Sequence, residues 1–515
     1  MALPVGPVAP SVAHAEGVSQ ALPGTLSTQV LVIGTGAGGA VAGTEFAKAG
    51  KSVLFLEAGG AYDKRDFRRR SLAWTTTHIF AGRGAQAALG DPTMVVASGR
   101  AVGGSTVLNS AICFRPPAAR LQEWGELSGS DVWNPATFNG AVDEIWTRIG
   151  VTPTHAGIGR RNNLLFLEGM KKIGVDAHWM DRNAPGCVGC GVCHLGCPSG
   201  GKASVDKSIL PEALNHGAKI LTRARAQSII MQGGRATGVQ AVVVDEVDER
   251  PVGTLTIKAD IIIVAGSALG SPLILQNSGL GGSEVGKHLS VHPGLAMYAD
   301  FPDPVVMWDG VPQGAWADCP DDDRSLLEVA NVGAGELFAL FGRVGDFSSL
   351  QRLAHLAMAG AMIRDTGGGS VVIDDDDADH LRPKISIDLS PRDMQAMRAG
   401  GKTLARAYFA AGAKSVIPGV VGNRVCSTEA EALAVIEGLT AGNRLAQAYA
   451  SHPHGTCRMG PKDGPHKGVV DAGGEVHGAT GLYVMDGSIF PSTLGVNPQI
   501  TIMASALALS RRLLH

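Results

Sequence analysis

Residues 28–60, TQVLVIGTGAGGAVAGTEFAKAGKSVLFLEAGG, decide the fold. QVLVI is a short apolar run of the kind that forms a parallel strand buried on both faces. Gly34, Gly36 and Gly39 follow it at once as G-x-G-x-x-G. An alanine-rich stretch, Val41 to Ala49, then reads as a helix; Gly50 stops it, and SVLFL makes the next strand, ending at Glu57. In this arrangement Gly34 turns the chain, Gly36 admits backbone N–H groups to a pyrophosphate, and Gly39 lets the helix pack on the strand. The helix start offers its partial positive charge to the phosphates. Glu57 lies 23 residues past Gly34, where a carboxylate accepts hydrogen bonds from a ribose. A mere glycine-rich turn would leave Glu57 unexplained. Strand, turn, helix, strand and acid together predict dinucleotide binding.

Two more glycine-bearing stretches lie further along. SGRAVGGSTVLNSAICFRPP (98–117) and ADIIIVAGSALGSPLILQNSGLG (259–281) both allow close backbone approach. A nicotinamide cofactor needs one such site before a substrate domain begins, whereas an extended FAD needs several along its length. The pattern favours FAD.

The far end of the chain carries SHPHGTCRMG (451–460) and MDGSIFPSTLGVNPQITIMASALALS (485–510). Oxidising an alcohol requires removal of the hydroxyl proton as hydride leaves carbon, work that suits a histidine. A second donor must hold the substrate oxygen, which an asparagine amide can do. His452 and Asn497 are the candidate catalytic pair. His454 is a rival, because strand-like alternation would put both histidines on one face. ITIMASALALSRRLL reads as a closing helix whose start can aim at the flavin ring.

These stretches together resemble the GMC (glucose–methanol–choline) oxidoreductases, over residues 28 to 511. GTGAGG with Glu57, GRAVGGSTVLNS, AGSALGSPLILQNSGLG, and HPHGTCRMG with GVNPQIT carry the likeness. The resemblance implies that the histidine of H-x-x-G-T, here His452, is the base and that Asn497 is its partner. It also implies flavin contacts at Gly103, Gly104, Ser105 and Asn109, and at Asp486 and Gly487. Some members attach FAD to a histidine just before that asparagine; Leu108 stands there, so non-covalent FAD is expected. Gly270 stands where the family commonly has a hydroxyl residue, which lowers the weight of any contact transferred there. Within the family the chain looks most like long-chain alcohol oxidases and more distantly like cholesterol oxidases. Residues 193–222, residues 380–417 and GVNPQIT carry that likeness, which implies a bulky apolar alcohol as substrate.

The expected fold class is α/β: a Rossmann-like FAD-binding domain with a substrate domain of antiparallel sheet covered by helices. The FAD domain is expected to be discontinuous, over 26–150, 185–300 and 440–515, with the substrate domain over 300–440. SVVID, KISID and ALFGR are its expected strands; SLQRLAHLAMAGAMI and DMQAMRAGGKTLARAYFAA its expected helices. DDDDAD (374–379) reads as a solvated turn rather than a metal site. Residues 1–25 read as a loose Pro/Ala/Gly-rich tail, and without a charged start a signal peptide is not expected.

With 515 residues and a net charge of −3, the chain gives no reason to expect nucleic acid or an anionic membrane as partner. No apolar run reaches the length of a spanning helix. The partners expected are a small-molecule alcohol and, as electron acceptor, oxygen or a redox carrier (quinone or cytochrome). A cytoplasmic location is expected, with peripheral membrane association left open.

One stretch fits none of this. CVGCGVCHLGCP (187–198) places Cys187, Cys190, Cys193 and Cys197 in C-x2-C-x2-C-x3-C-P, the run that ligates iron–sulfur clusters in bacterial ferredoxins. No second run exists, although in ferredoxins the fourth cysteine serves a second cluster. The related alcohol oxidases carry a partial version, CxxCxxGC followed by GxK, which points instead to a structural loop over 185–205. Zinc and a disulfide remain further readings. The residues leave an iron–sulfur cluster, and hence the choice of acceptor, open. Rival functions are oxidation of a polyol, sugar or aminoglycoside, an electron-transfer iron–sulfur flavoprotein without alcohol chemistry, and a lyase on the same fold.

Overall fold

The structure, a computed structural model, describes residues 12–14, 25–333, 352–380, 382–419, 424–441 and 448–515. Two large sheets organise it. In the first, Thr25–Ile33 lies between Val53–Leu56 and Pro251–Val264, parallel to both. Lys219–Thr222 extends the parallel part beyond Val53–Leu56, and Leu482–Val484 pairs with the end of Pro251–Val264. Antiparallel Arg235–Val244 and Ala224–Gln232 continue the sheet on the far side. Thr25–Gln29 alternates between exposed and half-buried, then Val30–Ile33 is wholly buried, as a strand does when it runs from a sheet edge into a two-sided core. The helix Ala37–Lys48 packs on one face, and the closing helix Gln499–Leu514 packs on it and on Pro135–Arg148.

Val12–His14 pairs in parallel with Lys219–Thr222, at the sheet edge. A strand therefore stands inside the stretch expected as a loose tail; the rest of 1–24 lies outside the described residues.

Among the described residues the second sheet has eleven strands. Gly294–Asp300, Leu356–Ile363 and Ser325–Val329 pair antiparallel at its heart. The strand period of two gives it two different faces. Leu295, Met297, Leu327, Val329, Ala359 and Ala361 belong to one core cluster, which also includes Met394, Met397, Leu404 and Tyr408 of the helix Pro391–Ala410. That helix starts on a reciprocal capping box between Ser390 and Asp393, with Pro391 in its first turn. The other face carries Ala296, Tyr298 and Met358, packed with Met307, Leu356 and Ile417. The sheet also takes in Ala87–Leu89, Met94–Val96, Ala177–Trp179 and Ala448–Ala450, so chain from well before and after residues 300–440 contributes to it.

One expected helix is a strand. Leu356–Ile363, LAMAGAMI, is buried at every position and paired on both sides. Alanine and methionine favour helix, but a short all-apolar run has no period to read, and pairing with two neighbours overrides propensity. Gly360 shows the constraint: a Cβ there would stand 2.4 Å from the Tyr449 hydroxyl. SVVID and KISID form the expected hairpin around the acidic turn, as Ser370–Ile373 and Pro383–Ser386. ALFGR lies outside the described residues.

Candidate active site

The fingerprint turn closes on itself. Gly34 has φ +99°, and a Cβ there would meet the Ala265 carbonyl oxygen at 2.3 Å, so only glycine fits. Gly39 faces the Gly34 carbonyl in the same way, at 2.1 Å. Gly36 differs: a Cβ would meet nothing nearer than Gly104 Cα at 3.9 Å, so its surface is open. Gly36 caps the helix Ala37–Lys48 with no side-chain hydrogen bond, and the first turn holds no acid. Free N–H groups and an uncompensated dipole are what a pyrophosphate needs.

Glu57 is buried and pinned to the turn. Its Oε2 accepts from Thr35 N (3.1 Å) and Thr35 Oγ1 (2.5 Å), and its Oε1 from Gly59 N (2.9 Å). Burial raises its pKa against these hydrogen bonds. The same Thr35 Oγ1 accepts from Gly103 N at 3.1 Å, which locks the second glycine cluster onto the first. Gly104 lies against Gly36, where a Cβ would come within 2.8 Å of Gly36 Cα. Ser105 Oγ accepts from Gly99 N, and Asn109 Nδ2 donates to Gln499 Oε1, at the start of the closing helix. Asp486 is buried and spent on internal bonds: Oδ2 accepts from Ser267 N and Ser271 Oγ, and Oδ1 from Ser488 N and Ser488 Oγ. Gly487 is joined through its carbonyl to Gly455 N of the histidine loop. The structure thus gathers Gly34, Gly36, Gly39, Glu57, Gly103, Gly104, Ser105, Asn109, Asp486 and Gly487 around one region. The carboxylates of Glu57 and Asp486 act there as internal pins.

His452 and Asn497 meet: His452 Nε2 and Asn497 Nδ2 are 3.4 Å apart, Asn497 being buried and His452 half-buried. His452 Nδ1 and Asn497 Oδ1 have no protein partner. His454 is occupied on both nitrogens. Its Nδ1 donates to the His452 carbonyl at 2.7 Å, and its Nε2 accepts from Leu494 N at 3.3 Å. His292 Nε2 accepts from Gly495 N at 2.9 Å, and its ring stands edge-on to both other histidines. His454 and His292 therefore hold the loop that carries Asn497. Burial, then the neighbouring His454, lowers the His452 pKa to about 3; burial lowers that of His454 to about 4. Both rings are neutral near pH 7, which leaves a lone pair on His452 Nε2.

Two residues at this centre escaped the sequence reading. His292 lies in SVHPG, without a recognisable spacing to the other histidines. Glu328, on the strand Ser325–Val329, is buried, and its Oε2 accepts from Gln313 Nε2 at 3.5 Å. Burial pushes its pKa up to about 8, so it is neutral at pH 7. A lone acid inside the apolar run SLLEV was the available signal, since an acid there must be exposed or functional.

The cysteine loop adjoins the turn 103–109, since Lys202 Nζ donates to the carbonyls of Val107, Asn109 and Cys193. Cys187, Cys190, Cys193 and Cys197 line one small cavity with Arg182 and Lys202. All four are free thiols. Among the described residues no group of three or more His, Cys, Asp or Glu side chains could hold a metal ion. No helix among them is long and apolar enough to cross a membrane.

Known proteins match this arrangement along most of the chain. Family models described as GMC oxidoreductase match residues 76–294 and 365–506. An uncharacterised GMC-type oxidoreductase of Mycobacterium tuberculosis is 35% identical over 493 residues, covering 95% of this chain and 76% of that protein. A long-chain-alcohol oxidase of Arabidopsis thaliana is 28% identical, covering 95% of this chain and 68% of its own. Among solved structures, pyridoxine 4-oxidase from Mesorbium loti superposes with a TM-score of 0.69 at 18% identity, over 94% of this chain and 99% of its own. The uncapped helix start, the paired glycine clusters and the buried histidine–asparagine centre fit that fold's flavin, and the chain belongs to the GMC oxidoreductase family, FAD-dependent oxidoreductases that act on CH–OH donors.

Proposed function

We propose that the chain oxidises a bulky, apolar alcohol to an aldehyde or ketone, with His452 as base and Asn497 as the group that orients the alcohol oxygen. One observation carries this reading. The Nε2 lone pair of a neutral His452 faces Asn497 Nδ2, a hydrogen-bond acceptor and a donor side by side. An alcohol hydroxyl between the two would donate to His452 Nε2 and accept from Asn497 Nδ2. As the C–H bond breaks, the hydroxyl proton moves to His452 Nε2, and the amide holds the oxygen as the carbonyl forms. His454, with both nitrogens engaged, is free for neither task.

FAD, bound without a covalent link, supplies the hydride acceptor. Gly34, Gly36, Gly39 and the turn 103–109 would hold it, with Glu57, Asn109, Asp486 and Gly487 shaping the walls. We read the parallel sheet and its helices as the flavin-binding part, and residues 300–440 as the main source of the substrate part.

The apolar choice rests on the face of the second sheet that Tyr298 and Met358 share with Met307 and Ile417. Glu328 stands beside it, facing Gly360 across the strand pair. Such a surface favours an alkyl or polycyclic body over a sugar. The alcohol-oxidase relative supports the same class. Oxygen or a redox carrier would take the electrons, and free thiols suit the reducing cytoplasm as the location. An anaerobic screen of alkanols, sterols and sugars, read by bleaching of the flavin absorbance, tests the proposal. Bleaching by the apolar alcohols is the expected result; bleaching by sugars alone would transfer the assignment to a polyol, and none at all would remove it.

A further inference from the structure

The four cysteines of residues 187–198 line one small space, and the groups around them divide them into two pairs. Arg182, 2% exposed, holds the first: its Nη1 donates to Cys187 Sγ (3.5 Å) and its Nη2 to Cys193 Sγ (3.3 Å), while its Nε donates to the Ser110 carbonyl. Cys190 and Cys197 stand outside that grip, and both are only part-buried. The turn 197–202 folds back on the Cys197 sulfur, which accepts from Lys202 N at 3.4 Å and lies 3.5 Å from Ser199 Oγ. Burial would raise the Cys197 thiol, but the Ser199 hydroxyl, the Lys202 N–H and the Lys202 ammonium together hold it below the ordinary thiol value. Burial raises the Cys190 thiol, against the Val192 N–H. One residue of this pair is thus disposed to be thiolate and the other thiol. A reactive cysteine has the setting of Cys197: part-exposed, beside a positive charge, in an electropositive turn.

The lining does not fit the iron–sulfur cluster that the cysteine spacing suggests. It encloses about 10 Å³, and among the described residues no group of three or more His, Cys, Asp or Glu side chains could hold a metal ion. Gly191 and Gly196 are left-handed and press the loop against its neighbours: a Cβ on either would strike the Trp308 carbonyl oxygen at 2.0 Å or the Phe67 ring at 2.2 Å. So small a space leaves no room for bridging atoms, whereas a bond from one sulfur to another needs none.

We propose that Cys190 and Cys197 form a redox-modification site, joined into a disulfide by hydrogen peroxide and parted again by a dithiol. The Cys197 thiolate attacks one peroxide oxygen; the O–O bond breaks, hydroxide leaves and is protonated to water, and Cys197 becomes a sulfenic acid. The Cys190 sulfur then attacks Cys197, and the S–S bond forms as hydroxide departs with the Cys190 proton, as a second water. Both sulfurs are oxidised and both peroxide oxygens are reduced. The bond draws Cys197 away from Lys202 N, and Lys202 Nζ is the donor that holds the Val107 and Asn109 carbonyls. Asn109 Nδ2 in turn donates to Gln499 Oε1, at the start of the closing helix that follows Asn497. Oxidation therefore loosens the turn 103–109 and speeds release of the flavin, a consequence that rests on the proposed reading of that turn as part of the flavin site. Where oxygen takes the electrons, peroxide is the product of turnover, and the pair answers to it.

The test uses the flavin-loaded full chain, fully reduced and then given an equimolar amount of hydrogen peroxide. Peptide mapping should find a disulfide between Cys190 and Cys197, and dithiothreitol should remove it; no disulfide, or one that joins a different pair, overturns the site. In the untreated wild type, iodoacetamide near neutral pH should label Cys197 faster than Cys190. Equal or reversed rates overturn Cys197 as the attacking sulfur. Cys190→Ser should keep its flavin and, with peroxide, hold a sulfenic acid on Cys197 that dimedone traps; a flavin-loaded variant without the adduct overturns the two-step route. Flavin should leave the oxidised wild type several-fold faster than the reduced one, read by the fluorescence of released flavin. An unchanged rate in protein that carries the disulfide overturns the link to the turn 103–109. None of these measurements uses an alcohol, so failure of every alcohol to bleach the flavin strikes the proposed function, while the mapping still decides the site.

Discussion

The histidine–asparagine centre and the cysteine loop both bury polar groups, and they satisfy them differently. At the first, neutral groups carry open positions: His452 Nδ1, Asn497 Oδ1 and Glu328 Oε1 lack partners, and burial holds His452 and Glu328 uncharged. At the second, Arg182 and Lys202 are buried with every side-chain nitrogen donating, to backbone carbonyls and to the sulfurs of Cys187 and Cys193. The first pattern suits a neutral ligand with a hydroxyl; the second is completed by the chain's own carbonyls and sulfurs. What a buried site lacks describes its ligand more closely than what it contains.

The comparison breaks most visibly at His452. His452→Ala should lower kcat by about 10³-fold with flavin still bound, the usual scale for a lost general base. His454→Ala should change flavin and substrate placement as well, because it releases the loop at Leu494; a larger kcat loss there than at His452 would exchange their roles. With the His452 pKa near 3, kcat/KM should show no acid limb at the ordinary histidine value of 6.5, and a pH profile checks this.

Asn497→Ala comes next, with a loss of about 10²-fold in kcat, as for removal of one donor to a developing oxyanion. A rise in KM alone would mean that the amide binds alcohol and transition state equally.

At the cysteine loop, Lys202→Met orphans three buried carbonyls and should cost about 3 kcal/mol of stability, read by denaturant unfolding. Less than about 1 kcal/mol, the net worth of one ordinary hydrogen bond, would mean that water replaces the ammonium.

Glu328→Gln has the smallest expected effect. The folded carboxyl titrates near 8 and the ordinary one at 4.5, so between these values the native state keeps a proton that the unfolded state has lost. Stability should therefore fall as pH rises from 4.5 to 8, and the glutamine variant should show a flatter decline across that window. Identical slopes would place Glu328 in contact with water.

The two sheets differ in how much of them could be read beforehand. The parallel sheet announces itself because backbone must approach phosphate at Gly34 and Gly36, and glycine is the residue such approach demands. The eleven-stranded sheet carries no comparable mark. LAMAGAMI looked helical because alanine and methionine favour helix and no polar residue broke the run. Only pairing with Gly294–Asp300 and Ser325–Val329 makes it a strand. Glu328 was marked only as a lone acid in an apolar run; the register is what put it on the face opposite Leu327 and Val329.

The sequence by itself determined the nucleotide fold, the candidate pair His452 and Asn497, and the spacing of the four cysteines. These depend on local backbone chemistry and on short spacings, which survive without knowledge of neighbours. The resemblance put His452 ahead of His454, and the tertiary structure adds that both nitrogens of His454 are in use. Tertiary structure alone set Arg182 and Lys202 against the thiols and turned Glu57 and Asp486 into internal pins. Hydrogen-bond saturation and desolvation decide those matters, and both depend on groups brought together from opposite ends of the chain.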